Sequence, residues 1–520
     1  MTKQTFLRGA LILMVAGMIT KALGVVNKMV LARIIGEEGM GLYMMAYPTL
    51  ILTVALTQLG LPVAISKMVA EANALDDRQK IKRVLTVSFS IVGALSILFT
   101  TALMIGAPMF SKFLFTDERT LYPLLAIAPI IPIVGVASVV RGYFQGIQNM
   151  TPYALSMVIE QIVRISLVAW FANALLPYGI EYAAGGAMIS GVIGELVSLL
   201  FMLWMFKLKK RIRIRAQFWR YLGKGKETFF QLMNIALPTT GSRLIGSFSY
   251  FLEPIVVANS LLLAGVTTVL ATKQYGELAG FAIPLLTLPS FITHSLHVSL
   301  VPTISEAAAR NRMDIIHFRI NQALKIAMVA GGLSIVISYI FAEPIMDLMY
   351  DSPQSAVYVH VMAPFFFLFY FQAPLAAVLQ ALDLAKAAMI NSFIGAFIKI
   401  VTMFLLASRP ELGIMGAALG YSIGVVLVTL LNLATVIKSV GFSLVVMDYI
   451  KGAFACVITG IFAAYCDRHL WQDMSILPRT ISLIGLSTIF YIILIVAIRL
   501  VNKNEIDGFP IIGKWINSHK

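Results

Sequence analysis

Five cations stand where a membrane helix should carry none. Lys21 and Lys28 lie in the apolar run FLRGALILMVAGMITKALGVVNKMVLARIIG (6–36), and Arg164, Arg243 and Lys399 lie in three others. A charge at the bilayer centre costs roughly 2.5–3.5 kcal/mol on insertion scales, so an ionisable residue there marks a functional site by default. Lys21 and Lys28 are seven residues apart and share one helix face, roughly 10 Å apart along the axis at 1.5 Å per residue. Arg33 lies nearer the helix end and is expected to reach the interface. Lys21, Lys28, Arg243 and Lys399 have no acid three or four residues away. Glu160 stands one turn before Arg164, so an internal ion pair is the simpler expectation there.

Several Lys and Arg side chains around a water-filled space suit a phosphate or pyrophosphate better than a single carboxylate. The same cations could instead pair with acids from other helices, for which Glu160, Glu195, Glu253 and Asp383 are available. Glu253 precedes Pro254, and His294 and His297 in FITHSLHVSL could titrate with a proton gradient, although hydrogen-bonded helix contacts explain them more simply. The candidate head-group cations are therefore Lys21, Lys28, Arg243, Lys399 and Arg164. The candidate coupling or charge partners are Glu160, Glu253 and His294. No metal-ligand spacing is present, and no cofactor or catalytic residue is expected.

The elements that must position these residues are membrane helices. The chain has 520 residues, 59% hydrophobic and only 12% charged, against roughly 25% charged in soluble domains. Apolar stretches of spanning length fall at about 9–33, 41–66, 84–110, 121–142, 153–176, 181–206, 229–260, 276–301, 319–342, 359–381, 388–407, 414–437, 449–466 and 480–500. The expected fold is an all-α integral membrane protein of about fourteen transmembrane helices. The net charge of +15 fits basic cytoplasmic loops rather than nucleic-acid binding. The connection KLKKRIRIRAQFWRYLGKGKET (207–228) holds nine Lys and Arg against one Glu. It reads as a topology anchor, with a surface for anionic membrane lipid or a partner as the sharper alternative. Both termini are expected to be cytoplasmic. Cys456 and Cys466 fall in one helix and cannot bridge within it.

The sequence repeats. YFQGIQNMTPYALSMVIEQIVRI (143–165) resembles VLQALDLAKAAMINSFIGAFIKI (378–400), TKALG (20–24) resembles SRLIG (242–246), GLPVAISKMVAEA (60–72) resembles SLVPTISEAAA (299–309), and GAMISGVIG (186–194) resembles GAALGYSIG (416–424). The matches keep one order, which gives two parallel six-helix repeats. The expected organisation is a first lobe 1–206, the basic linker 207–228, a second lobe 229–438, and 439–520 with two further helices and a cytoplasmic tail. Such repeats belong to transporters that rock two halves about a site. Arg243 then occupies the place of Lys21, and Lys399 the place of Arg164.

Two six-helix repeats, two added helices and cations in helix one resemble the multidrug/oligosaccharidyl-lipid/polysaccharide exporter superfamily. Its polysaccharide-transporter branch is the nearest, related to the lipid II flippases and including sporulation members. The stretches that carry the likeness are IGEEGMGLYMMAYP (35–48), QLGLPVAISKMVAEA (58–72), RGYFQGIQNM (141–150), LPYGIEYAAGGAM (176–188), LPTTGSRLIG (237–246), TKQYGELAGF (272–281), LLTLPSFIT (285–293) and LGIMGAALG (412–420), and together they span the chain. The resemblance implies two lobes around a central cavity. It also implies export of an undecaprenyl-pyrophosphate-linked glycan by alternating access, for spore cortex peptidoglycan, in a forespore or mother-cell membrane with cortex-synthesis proteins as partners. The flippases' first-helix arginines align with Lys21 and Asn27, and an eighth-helix arginine falls near Pro284.

Three other functions remain open from the sequence. A cation-coupled multidrug exporter needs a carboxylate in its cavity, and helix one offers only bases. A membrane enzyme acting on lipid-linked sugars needs catalytic groups on sizeable outer loops, and these loops are short. A non-transporting scaffold for cortex synthesis would act through 207–228.

Overall fold

The structure, a computed structural model, describes residues 6–209, 223 and 225–500. Helices follow in the order α1 (Phe6–Gln58), α2 (Leu61–Ala74), α3 (Arg78–Met109), α4 (Leu121–Ile127), α5 (Ile130–Gly146), α6 (Thr151–Leu175), α7 (Ile180–Lys209), α8 (Lys226–Leu263), α9 (Thr268–Tyr275), α10 (Ile283–Thr287), α11 (Ser290–Ala309), α12 (Met313–Ile340), α13 (Ala342–Tyr350), α14 (Ala356–Phe366), α15 (Phe369–Ala381), α16 (Ala385–Ala407), α17 (Ile414–Val440), α18 (Val446–His469) and α19 (Ile476–Ala497). Among the described residues there is no strand. An α-helix satisfies its interior backbone polar groups within its own segment, which is what hydrocarbon demands. Ile97, Ile105, Trp170, Val457, Ile461 and Ile493 are each more than half exposed, an apolar exterior suited to lipid. Most of the expected basic linker and the expected tail, 210–222 and 501–520, lie outside the described residues.

Among the described residues, twelve helical segments are long and apolar enough to cross a bilayer, or thirteen if the bent pair Thr268–Thr287 and Ser290–Ala309 is one span. The sequence led us to expect about fourteen. The first segment, Ile12–Ala74, is 63 residues long, about twice what a bilayer needs even for a tilted helix. It kinks at Gly36, where the backbone leaves helical geometry at φ 64° and ψ −167°.

Four spans expected to be continuous are interrupted, for local reasons. The span at 41–66 breaks where Leu59 and Gly60 take positive φ, and Pro62 sits in the first turn of α2. The span at 121–142 breaks between α4 and α5 beside Pro129. The span at 359–381 breaks between α14 and α15 after Pro364. Pro129 and Pro364 are equivalent under the repeat. Proline removes a donor and clashes one turn back, so the ladder opens at both places. The span at 276–301 is the most altered. A π-helical stretch Gly276–Ala282 precedes α10, and the chain bends by 54° beside Pro289.

The chain forms two compact units, 1–280 with 407–414 and 281–406 with 415–520. The first holds the whole first repeat together with α8 and α9. Its core gathers Leu61 and Ile65 of α2, Val84 of α3 and Val140 and Phe144 of α5. In the second unit the repeat-related helices do the same, with Leu300 and Ile304 of α11, Ile320 of α12 and Leu375 and Val378 of α15. The two added helices dock on α12 within that unit. Lys325 pairs with Asp448 at 2.9 Å, and the Tyr491 hydroxyl donates to the Val329 carbonyl at 3.1 Å.

The repeat is visible in individual contacts. A Cβ on Gly146 would lie 2.8 Å from the Ser66 carbonyl oxygen. At the equivalent positions the Ser305 hydroxyl donates to the Ala381 carbonyl at 3.2 Å. A Cβ on Gly194 would lie 3.4 Å from Cβ of Arg164, and a Cβ on Gly424 2.6 Å from Cβ of Lys399. Each repeat thus sets a glycine against the stem of its cation, the small-residue packing that lets membrane helices approach closely. Gly424→Val is expected to lower stability by about 1–3 kcal/mol through overpacking. The melting temperature in detergent checks this, and an unchanged value would contradict the contact.

Candidate functional site

The first-helix cations lie along α1. Lys21 is exposed, Lys28 is half-buried and Arg33 is exposed close to the Gly36 kink. Asn27 is buried, and its Oδ1 accepts no hydrogen bond among the described residues. Arg243 is exposed near the middle of α8, which packs against α1. Its side chain lines a cavity of about 430 Å³ together with Ile51, Val54, Ala55 and Gln58 of α1, Gly60, and Thr240, Gly246, Ser247 and Tyr250 of α8. Glu253, one turn beyond that cavity on α8, is buried.

Arg164 is held by Glu160, as the i, i+4 spacing suggested, with Nη2 2.6 Å from Oε1. This pair belongs to a larger network. Arg141 of α5 pairs with Glu195 of α7 and lies 5.4 Å from the centre of the Tyr153 ring. Gly194, next to Glu195, brings the two pairs together, since a Cβ on it would lie 3.0 Å from the Glu160 carbonyl oxygen. All four side chains are at most 18% exposed, and two guanidiniums against two carboxyls make the cluster self-compensating. Arg141 was not singled out from the sequence. Its partner is 54 residues away, on a helix that only the fold brings near.

Lys399 and His294 lie in the second unit. Lys399 Nζ sits 5.1 Å from the centre of the Tyr421 ring, a cation–π contact. The repeat explains why it takes this partner. Position 395, equivalent to Glu160, is glycine, and position 421, equivalent to Gly191, is tyrosine. One repeat holds its cation with an acid from the same helix, the other with an aromatic face from the next. The His294 ring stacks parallel to His297 with centroids 6.1 Å apart, and His297 Nδ1 contacts the Ala373 carbonyl at 3.0 Å.

A second polar cluster, also missed from the sequence, surrounds the Gly36 kink in the first unit. Glu37 pairs with Lys273 at 2.8 Å, Glu38 with Arg119, and Arg119 with Asp117 at 2.8 Å. The Thr272 hydroxyl donates to Asp117 at 2.8 Å. Burial alone would push the Asp117 carboxyl up. The bonds from Arg119 and Thr272 outweigh it and hold the group below its usual range. Backbones also meet here, since a Cβ on Gly41 would lie 2.0 Å from the Thr272 carbonyl oxygen.

Comparison with known proteins bears on these arrangements. The family described as polysaccharide biosynthesis protein matches residues 6–308, more than half of the chain. The chain belongs to that family. The MatE family matches residues 251–405. Stage V sporulation protein B of Bacillus subtilis (strain 168) is 54% identical over 516 residues, covering 99% of this chain and 100% of that protein. Lipid II flippase MurJ of the same organism is 25% identical over 438 residues, covering 80% of each chain. A solved structure of lipid II flippase MurJ in an inward closed conformation superposes with a TM-score of 0.71 at 15% identity, covering 94% of this chain and 99% of that one. An inward-facing multidrug resistance MATE family transporter of the MOP superfamily superposes at 0.66 and 16% identity, covering 81% of this chain and 94% of that one. The polysaccharide biosynthesis family member therefore has the fold of the superfamily's flippases and exporters.

Proposed function

We propose that the protein moves a lipid-linked pyrophosphate glycan across the cytoplasmic membrane by alternating access of its two repeats, in the service of spore cortex peptidoglycan. The observation that carries this reading is Arg243. It is an exposed guanidinium in mid-helix, lining a cavity whose α1 wall is apolar except for Gln58. Lys21 and Lys28, on the arm of α1 before the Gly36 kink, would add positive charge along the same path. Such a set favours a phosphate-bearing amphiphile over a cationic drug. The lipid II flippase named above, and the sporulation protein of over half identical sequence, support the substrate class and the setting.

In this reading Lys21, Lys28 and Arg243 contact the head group. Arg164 and Lys399 are held by Glu160 and Tyr421 and shape their own repeats. Both termini face the cytoplasm, so the Glu37–Lys273 cluster lies towards the outside. Glu253 and His294 are the remaining candidates for coupling to an ion or to the membrane potential.

Reconstitution in vesicles with a fluorescent lipid II analogue tests the proposal. Lys21→Ala and Arg243→Ala are expected each to lower the flipping rate at least tenfold at normal protein level. Wild-type rates from both variants would remove the head-group role. Export of a cationic dye but of no lipid-linked glycan would favour a drug exporter instead.

A further inference from the structure

The bent pair Thr268–Thr287 and Ser290–Ala309 belongs to both units. The division falls between Gly280 and Phe281, inside the seven-residue π-helical stretch Gly276–Ala282. Upstream the chain is bound into the first unit. Gly276 lies against the backbone at Glu37 and Gly41, Gly280 lies against Met40, and the Thr272 hydroxyl donates to Asp117. Downstream it is bound into the second unit. The Phe281 ring stacks on Tyr350 with centroids 4.6 Å apart, and the Tyr370 hydroxyl donates to the Leu286 carbonyl at 2.8 Å. A helix anchored at both ends has to yield between them if the two repeats move.

Local chemistry puts the yielding point in the π stretch. A π turn closes from i to i+5 rather than i+4, so it stores one residue more than an α-helix uses, and such turns are frequent at functional sites. Pro284 explains why one forms here. In an α-helix the Gly280 carbonyl would accept from residue 284, and proline has no N–H to give. The α register therefore lacks one bond at this point, which brings the π register close to it in free energy. The Tyr350 hydroxyl adds a second sign. Its side chain is 2% exposed, and the hydroxyl has no hydrogen-bond partner among the described residues. An unmade buried bond destabilises the arrangement that contains it, and this one sits against Phe281. By contrast, the π-helical stretch Phe110–Leu114 ends α3 wholly within the first unit and links nothing that moves apart.

We propose that Gly276–Ala282 is a register switch, π-helical in this conformation and α-helical in another stage of the transport cycle. The proposal rests on the alternating-access reading above. Passing the stored residue along turns α10 by about 100° and advances it by about 1.5 Å relative to α9. Phe281 then leaves the Tyr350 ring, and the Leu286 carbonyl leaves Tyr370. The 54° bend beside Pro289 lets α11 keep its packing while α10 turns.

Two variants push the switch in opposite directions. Deleting Ala279 removes the stored residue and leaves both anchors in register, so it holds the present arrangement without the means to change it. Pro284→Ala restores the missing donor and favours the α-helical form. The experiment measures distances between spin labels on the full-length protein in nanodiscs, with and without a lipid II analogue. The labels are carried by Leu270→Cys and Phe291→Cys, both at exposed positions, after Cys456→Ala and Cys466→Ala. The parent protein is expected to show two distances. Deletion of Ala279 is expected to leave only the one that matches the present arrangement, and Pro284→Ala to enrich the other. Each variant is expected to lower flipping in vesicles at least tenfold, with the melting temperature of Pro284→Ala no lower than that of the parent.

A single distance in the parent protein under both conditions would overturn the proposal, and so would the parent distribution in Pro284→Ala. If the deletion variant does not fold, Pro284→Ala decides alone. The two readings fail separately. If the parent protein flips the lipid II analogue and Pro284→Ala flips it equally well with unchanged distances, the switch falls and the flippase stands. If both variants shift the distances as expected but the parent protein flips nothing, the flippase falls and the switch stands.

Discussion

Glu195→Ala is expected to cost the protein about 3–5 kcal/mol, more than any loss at its surface, because it strands the Arg141 guanidinium. Arg141 is 18% exposed and Glu195 6%, so neither group can turn to bulk water when the other is removed. The neighbouring Glu160 is bonded to Arg164, so it compensates Arg141 only in part. Glu195→Gln keeps an acceptor and removes the charge, and is expected to fall between wild type and Glu195→Ala. The size of the effect reflects the uncompensated charge, not the worth of the intact pair. Replacing both partners with apolar side chains of similar volume, Arg141→Met with Glu195→Met, is therefore expected to recover most of the lost stability. Melting temperatures in detergent read all four proteins. If Glu195→Ala melts with the wild type, the network does not hold the first unit together.

What the sequence revealed divides by the range of the interaction. Apolar stretches of spanning length were legible because a helix must bury its backbone within one continuous segment. The Arg164–Glu160 pair was legible because its partners are four residues apart on one helix. The repeat was legible at the level of aligned motifs, and the contacts Ser66–Gly146 and Ser305–Ala381 give it physical content.

The interruptions were hidden although their causes were in plain sight. Pro129, Pro289 and Pro364 could have been read as breaks, but membrane helices tolerate proline where neighbours re-satisfy the backbone. Only packing decides which proline opens the ladder. The Arg141–Glu195 pair and the Lys399–Tyr421 contact were hidden for a different reason. Each joins two helices, and nothing local to either residue names the other. The cavity beside Arg243 belongs to the same class. Its apolar face looks like any lipid-facing stripe until α8 is placed against it.

At Gly276 one added methyl group is expected to be too large. A Cβ there would lie 2.2 Å from the Glu37 carbonyl oxygen and 2.6 Å from the Gly41 nitrogen. Both are backbone atoms, so no side chain can rotate away, and the helices must part. Gly276→Ala is expected to lower stability by about 1–3 kcal/mol, the usual range for overpacking. Gly41→Ala presses on the same crossing from the other side, through the Thr272 carbonyl. Once the helices have separated the second methyl costs less, so the double variant is expected to lose less than the sum of the two. Gly280→Ala is the informative control. Its Cβ would meet Cγ of the buried Met40 at 2.4 Å, a side-chain rather than a backbone atom, so this variant is expected to lose less stability than Gly276→Ala. The ion pair Glu37–Lys273 spans the same crossing at 2.8 Å, so parting the helices also stretches that bond. If the crossing must stay closed during part of the proposed transport cycle, Gly276→Ala lowers flipping in vesicles even well below its melting temperature, and Gly280→Ala lowers it less. Equal melting temperatures for Gly276→Ala and Gly280→Ala would show that the backbone contact at Gly276 does not constrain the fold.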